Sequence, residues 1–76
     1  MNLFWLVHRI DDDMQVNIQP GHSLIDARMK AALAGQEGEF VEGHLLDGKT
    51  TKKVPKRMIG KNLSAAEAKS ILKRLA

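Results

Sequence analysis

The sequence has no cysteine and no tyrosine, only two prolines, one tryptophan and two phenylalanines. Without cysteine, neither a disulfide nor a thiolate-bound metal can brace the chain, which fits a reducing compartment. No apolar run approaches the roughly 20 residues that cross a bilayer. The N-terminal stretch MNLFWLVHRIDDD has too short an apolar part, and too acidic a continuation, for a secretory signal. These absences point to a soluble, cytoplasmic protein with no membrane partner. The 76 residues suffice for a single domain, 1–76, with one small core and a stability of about a few kcal/mol. Self-association is the common remaining way to enlarge such a core.

The most strongly patterned stretch is SLIDARMKAALAG, residues 23–35. Ser23 can cap a helix start, and Asp26 three residues on makes a variant capping box that also suits the helix dipole. Gly35 can take the left-handed conformation that ends a helix. Ile25, Met29, Ala32 and Leu33 fall at i, i+4, i+7 and i+8, the spacing of one apolar stripe. The alanines give a narrow face that can lie close on a sheet, and Asp26 and Lys30 can pair.

Strand patterns flank this helix. In residues 3–10, LFWLVHRI, both alternating faces are largely apolar, the mark of a strand covered on both sides. In residues 14–19, MQVNIQ, Met14, Val16 and Ile18 alternate with polar residues, which predicts the latter facing water. A three-residue turn at Asp11–Asp13 pairs Ile10 with Met14, His8 with Val16 and Leu6 with Ile18. That register leaves Trp5 and Val7 on the second face, to be covered by the last helix or by another copy of the chain. A third strand is predicted at 39–46. Asp47-Gly48 reads as a hairpin turn into a fourth, lysine-rich edge strand at 50–54. After Pro55, residues 56–62 read as loop with Met58 and Ile59 tucked inward. Ser64 and Glu67 form a capping box ahead of a last helix from about 65 to 75, with Ala68, Ile71, Leu72 and Leu75 as its buried stripe.

The expected fold class is α+β in the order ββαββα, a four-stranded, mostly antiparallel sheet with two helices. Its first five elements resemble the ubiquitin-like β-grasp fold in their order. The chain ends in Lys73-Arg74-Leu75-Ala76 rather than a diglycine, so the resemblance does not imply carrier chemistry. An intertwined dimer, with the last helix packed on a second chain, fits the same order.

Charge is unevenly placed. Residues 1–47 carry eight acids and three bases, whereas residues 48–76 carry nine bases and the single acid Glu67. Such asymmetry fits a basic surface aimed at an acidic partner, or complementary surfaces within or between copies.

No catalytic or metal signature stands up to inspection. Residues 43–50, GHLLDGKT, match the phosphate-loop pattern G-x-x-x-x-G-K-[ST]. That chemistry needs a strand, a glycine-rich loop and then a helix. Here Leu45 and Leu46 look like strand, and Thr-Thr-Lys-Lys-Val-Pro after the motif is β-branched and then broken by proline, so no helix is expected to start there. Three consecutive aspartates lack the spaced oxygens of a calcium loop and read as a turn. His8, His22 and His44 are too scattered for a metal site, and His8 reads as a half-buried, hydrogen-bonded core histidine. No serine is marked as a nucleophile. No enzyme, cofactor or metal is expected.

The basic stretch carries the functional expectation. Lys49, Lys52, Lys53, Lys56, Arg57 and Lys61 contain no acid among them, and Lys69, Lys73 and Arg74 follow on the last helix. If these segments share a surface, it can neutralise several phosphates. No aromatic residue is interleaved to stack bases. Residues 59–72, IGKNLSAAEAKSIL, resemble a segment of the short C-terminal repeats of bacterial type I topoisomerases, which carry a G-[KR]-x-L-S-x-x-E-x-x-x-L-L pattern and assist DNA binding. The expectation is a non-enzymatic protein gripping the DNA or RNA backbone. Lys52, Lys53, Lys56, Arg57 and Lys61 are the expected contacts, with Lys69 and Lys73 flanking. The alternative is a protein-interaction module or homodimer using Trp5 and Val7 as an apolar contact.

Overall fold

The computed structural model describes residues 2–75. The chain is α+β, built on a four-stranded sheet in the spatial order β3-β1-β2-β4, with antiparallel neighbours throughout. In sequence the elements are β1 (Asn2–Ile10), β2 (Asp13–Gly21), α1 (Leu24–Leu33), β3 (Glu39–Leu45), α2 (Gly48–Lys53), a single 3-10 turn (Lys56–Met58), β4 (Asn62–Leu63) and α3 (Ala65–Leu75). The expected ββαββα order therefore holds once the two short helical pieces between β3 and β4 are set aside.

The central pair corrects the expected register. The turn has two residues, not three, with Asp11 at φ 54°, a left-handed conformation that aspartate tolerates better than most. Ile10 then pairs with Asp13, Val7 with Val16, Leu6 with Asn17 and Trp5 with Ile18. A slip of one residue exchanges faces along the whole strand. Val16 and Ile18 consequently join Leu3, Trp5 and Val7, while Asn17 and Gln19 join Phe4 and Leu6 on the other face.

Both faces are covered, so the expectation that Asn17 and Gln19 meet water fails. Both are buried. They are hydrogen-bonded instead: Gln19 Nε2 donates to Asn17 Oδ1 at 2.7 Å, and Asn17 Nδ2 donates to Asn62 Oδ1 on β4 and to Gln36 Oε1 after α1. Buried amides without such partners would carry a desolvation penalty of about 1–3 kcal/mol each.

On one face lies α1. Its local signals are realised. Ser23 Oγ accepts from Asp26 N, and Asp26 Oδ2 accepts from His22 N and sits 3.4 Å from Lys30 Nζ. Beyond Ala34, Gly35 takes φ 91°. Gly35 N donates to Ala32 O, and Gln36 N to Ala31 O, closing the C-terminus. The expected apolar stripe, however, points outward: Ile25, Met29 and Leu33 are 71%, 61% and 86% exposed. Ala27 and Ala31 are the buried residues, with Leu24 partly so, against Phe4, Leu6 and Phe40. The sheet supplies the bulk here, and the small side chains let the helix backbone approach it.

On the other face lie α2, the 3-10 turn and α3. Val54, Leu63, Ala68 and Ile71 close over Leu3, Trp5, Val7, Val16 and Ile18, with Leu46, Met58 and Ile59 at the margin. Ser64 and Glu67 make the full capping box, each side chain accepting the other's backbone N–H at 3.2 Å. Leu72 stays exposed, contrary to the expected stripe, and the side chain of Leu75 lies outside the described residues.

The fourth strand is displaced. Residues 50–54 are not a strand, and the Asp47-Gly48 hairpin does not form. Asp47 instead caps α2, its Oδ1 accepting from Thr50 N at 2.7 Å, and that hydrogen bond holds its carboxyl below the usual carboxylate range. The strand β3 pairs with β1, as Phe4 with Leu45 and Arg9 with Glu39, with a bulge beside Val7 and His8. The two-residue β4 takes the far edge through Val16–Leu63 and Asn17–Asn62.

Candidate functional site

Eight of the nine bases of residues 48–74 sit on the helical elements that cover one face of the sheet, and the ninth, Lys61, lies in the turn that leads into β4. Lys49, Lys52 and Lys53 lie on α2. Lys56 and Arg57 lie on the 3-10 turn, Lys61 just before β4, and Lys69, Lys73 and Arg74 on α3. Every one of them is exposed. Among the described residues none makes an ion pair within 4.0 Å; the pairs present are Arg9–Glu39, Lys30–Asp26 and His44–Glu42. The one acid of the region, Glu67, is engaged in the capping box. Local chemistry explains the placement: Val54 anchors the end of α2, Pro55 stops it, and Ile59 returns the chain to the sheet, where Gly60 N donates to Ile18 O at 2.7 Å. The apolar residues of these segments turn inward and leave the lysines outside.

Of the two covers expected for Trp5 and Val7, the last helix or another copy, the chain's own C-terminal layer is the one present, so the alternative use of these residues as an apolar contact is corrected. Each is 7% exposed and packed beneath the chain's own C-terminal layer, so neither offers a surface to a partner.

The phosphate-loop pattern also needs correction. A helix does follow Gly48, contrary to the reading that none could start there. Yet Gly43 to Leu45 are paired in β3, so no loop cradles a phosphate, and the carboxylate of Asp47 already occupies the helix N-terminus. Asp11 and Asp12 form the turn between β1 and β2. Among the described residues no group of three or more histidine, aspartate or glutamate side chains is gathered to hold a metal.

On the opposite face is a feature that sequence reasoning missed. A cavity of about 380 Å³ opens between α1, the segment after it, β3 and β1. His8 forms part of its wall, with its ring edge-on to Phe40 at 5.6 Å. The Arg28 guanidinium lies 4.0 Å over the Phe40 ring. His8 is 7% exposed, and its Nδ1 is enclosed without a hydrogen-bond partner. This corrects the expectation of a hydrogen-bonded histidine. The residues involved are scattered over thirty positions of sequence, so no local motif marks them.

Burial, and then the nearby Arg28 charge, push the His8 pKa below the ordinary histidine value. The folded chain therefore holds the neutral imidazole and binds its proton more weakly than the unfolded chain does. The resulting stabilisation is complete above about pH 6.5 and is lost as pH falls towards the folded-state value. Urea denaturation of the wild type is expected to show stability declining from pH 7 to pH 5, and His8→Phe to flatten that decline. Asp26 and Asp47, both held below the usual carboxylate range by backbone N–H donors, act only at lower pH and in both proteins. Equal slopes in the two proteins over pH 5–7 would refute the assignment to His8.

No helix among the described residues is long and apolar enough to cross a membrane. No protein-family model, curated protein or solved structure matches the chain.

Proposed function

We propose that the protein is a non-enzymatic, cytoplasmic accessory that grips nucleic acid by its phosphate backbone through the layer of α2, the 3-10 turn and α3. The observation that supports this reading is the set of nine exposed bases, eight on this layer and Lys61 in the turn before β4, without an ion-pair partner among the described residues. Lys52, Lys53, Lys56, Arg57 and Lys61 are the contacts, with Lys69 and Lys73 extending the track. The aromatic side chains belong to the sheet, and Trp5 lies under this layer, so the surface offers no stacking platform. Recognition is accordingly of charge and spacing rather than of bases.

The test is titration with duplex DNA and with single-stranded RNA at several salt concentrations. Five phosphate contacts give a slope of log affinity against log salt of about −4.5 on duplex DNA. The double substitution Lys53→Glu/Arg57→Glu is expected to shrink the slope by about 2 and to weaken binding across all sequences alike. Binding that ignores the double substitution would sink the proposal. Absence of binding at low salt would leave the second reading, a protein-interaction module or homodimer. The surface for that reading is the outward stripe of Ile25, Met29 and Leu33, not Trp5 and Val7.

A further inference from the structure

The cavity beside α1 is separate from the basic layer, being on the other side of the sheet. Its lining combines two kinds of surface. Ile25, Met29 and Phe40 are apolar. Arg28 contributes the one fixed charge among the lining residues, and no acid is among them. The guanidinium makes no ion pair within 4.0 Å among the described residues. Its stacking on Phe40 holds the plane in place while leaving edge N–H groups available. Gln36, also in the lining, spends its amide within the protein: Nε2 donates to Glu37 O, and Oε1 accepts from Asn17 Nδ2. The polar group left uncommitted at the surface of the lining is therefore Arg28; His8 Nδ1 has no partner but is closed off from solvent. An unpaired guanidinium stacked on an aromatic ring, with apolar side chains around it and no acid in the lining, describes a site lacking its ligand's anionic end.

We propose that this cavity binds a small carboxylate with a short apolar body, Arg28 holding the carboxylate and Ile25, Met29 and Phe40 packing the body. The charge balance decides the class. A single guanidinium fork matches one carboxylate. A phosphate dianion would call for more cations, and the lining has none to add. A cationic or neutral ligand would leave Arg28 without its counter-charge. At about 380 Å³ the cavity stands at the small end of ligand pockets, which run roughly 300–1,000 Å³. The wall histidine, its pKa held below the ordinary value, adds no second positive charge.

The experiment uses the full chain, labelled for NMR, and hexanoate as probe, with hexanamide and hexylammonium as uncharged and cationic counterparts. Hexanoate is expected to bind with a Kd on the order of 1 mM and to shift resonances of His8, Arg28, Met29 and Phe40. Hexanamide and hexylammonium should bind at least about tenfold more weakly. The His8 ring should titrate at higher pH with hexanoate bound, because the carboxylate offsets Arg28. Arg28→Gln, at an exposed position, should erase the preference for hexanoate over hexanamide in a protein that remains folded by its NMR spectrum. Ala32→Phe, filling the cavity from the exposed side of α1, should abolish binding in a folded protein. The proposal is overturned if hexanamide binds as well as hexanoate, or if Arg28→Gln binds hexanoate unchanged. It is equally overturned if the shifts fall on the α2 and α3 lysines, which would be plain anion attraction. Cavity resonances that move with protein concentration rather than with hexanoate would assign the face to a second copy of the chain. Nucleic-acid binding is read from the other side of the sheet, so either proposal can fail alone.

Discussion

Ile71→Ala is expected to cost about 2–5 kcal/mol, most of what a chain of this size has to lose. Ile71 is 1% exposed and is the residue through which the middle of α3 reaches the sheet, among Trp5, Val7, Val16 and Ile18. Removing three carbons there leaves a void bounded by the sheet on one side and a single amphipathic helix on the other. A helix of eleven residues has little stability apart from its packing. The melting temperature should fall by at least about 10 °C. Trp5, the only tryptophan, lies under this layer and should report the change as a red shift in its fluorescence. Leu72→Ala, at the next position but 51% exposed, is the control and should change stability by no more than about 0.5 kcal/mol. Comparable losses for Ile71 and Leu72 would mean that α3 is docked by another face.

Gly38→Ala has the second largest expected effect, about 2–4 kcal/mol. Two separate penalties meet there. Gly38 has φ 90°, where an L side chain is strained. A β-carbon would also drive into the carbonyl oxygen of Arg9 and the side chain of Ile10, both closer than 3.0 Å. Backbone cannot step aside as a flexible side chain can, because Arg9 is held in the ladder opposite Glu39. Gly35→Ala separates the two causes: its φ is 91° but nothing lies within 4 Å of the added carbon. That variant should show the strain alone, about 1–2 kcal/mol. Chemical denaturation of both proteins makes the comparison, and equal losses would show that the approach to Arg9 contributes nothing.

These cases show why some of the architecture could be read from the chain and some could not. Signals confined to one turn of backbone were legible. Ser23 with Asp26, Gly35 after α1, and Ser64 with Glu67 all do locally what their chemistry favours. Features that depend on what packs opposite were not. The larger residues of α1 were expected inside, but Phe4, Leu6 and Phe40 already fill that face, so Ala27 and Ala31 go in and Ile25 and Met29 stay out. Asp47-Gly48 is written equally well for a hairpin and for a helix start, and the second wins where β3 takes the edge of β1. The polar alternation of β2 was read as one wet face because nothing local announces Asn62 and Gln36 as partners for Asn17. As for function, the cluster of bases was plain in the sequence. What brings eight of the nine onto one layer is the distant matching of Val54, Leu63, Ala68 and Ile71 to the sheet. The cavity was invisible because His8, Arg28 and Phe40 come from three separate elements.

The amide cluster around Asn17 also selects between strand alignments. The first strand is apolar on both sides, so by itself it accepts the second strand in either of two alignments, one residue apart. Both close through a short aspartate turn, and both can form early because they are local. A misaligned hairpin would carry Met14, Val16 and Ile18 to the side that α1 covers, and Asn17 and Gln19 beneath the C-terminal layer. There the two amides would face Val54, Leu63 and Ile71, stripped of water and of the partners that Asn62 and Gln36 provide. The penalty falls on the wrong hairpin when the later elements try to close over it. Asn17 and Gln19 thus weigh against an alignment that β1 and β2 alone would tolerate.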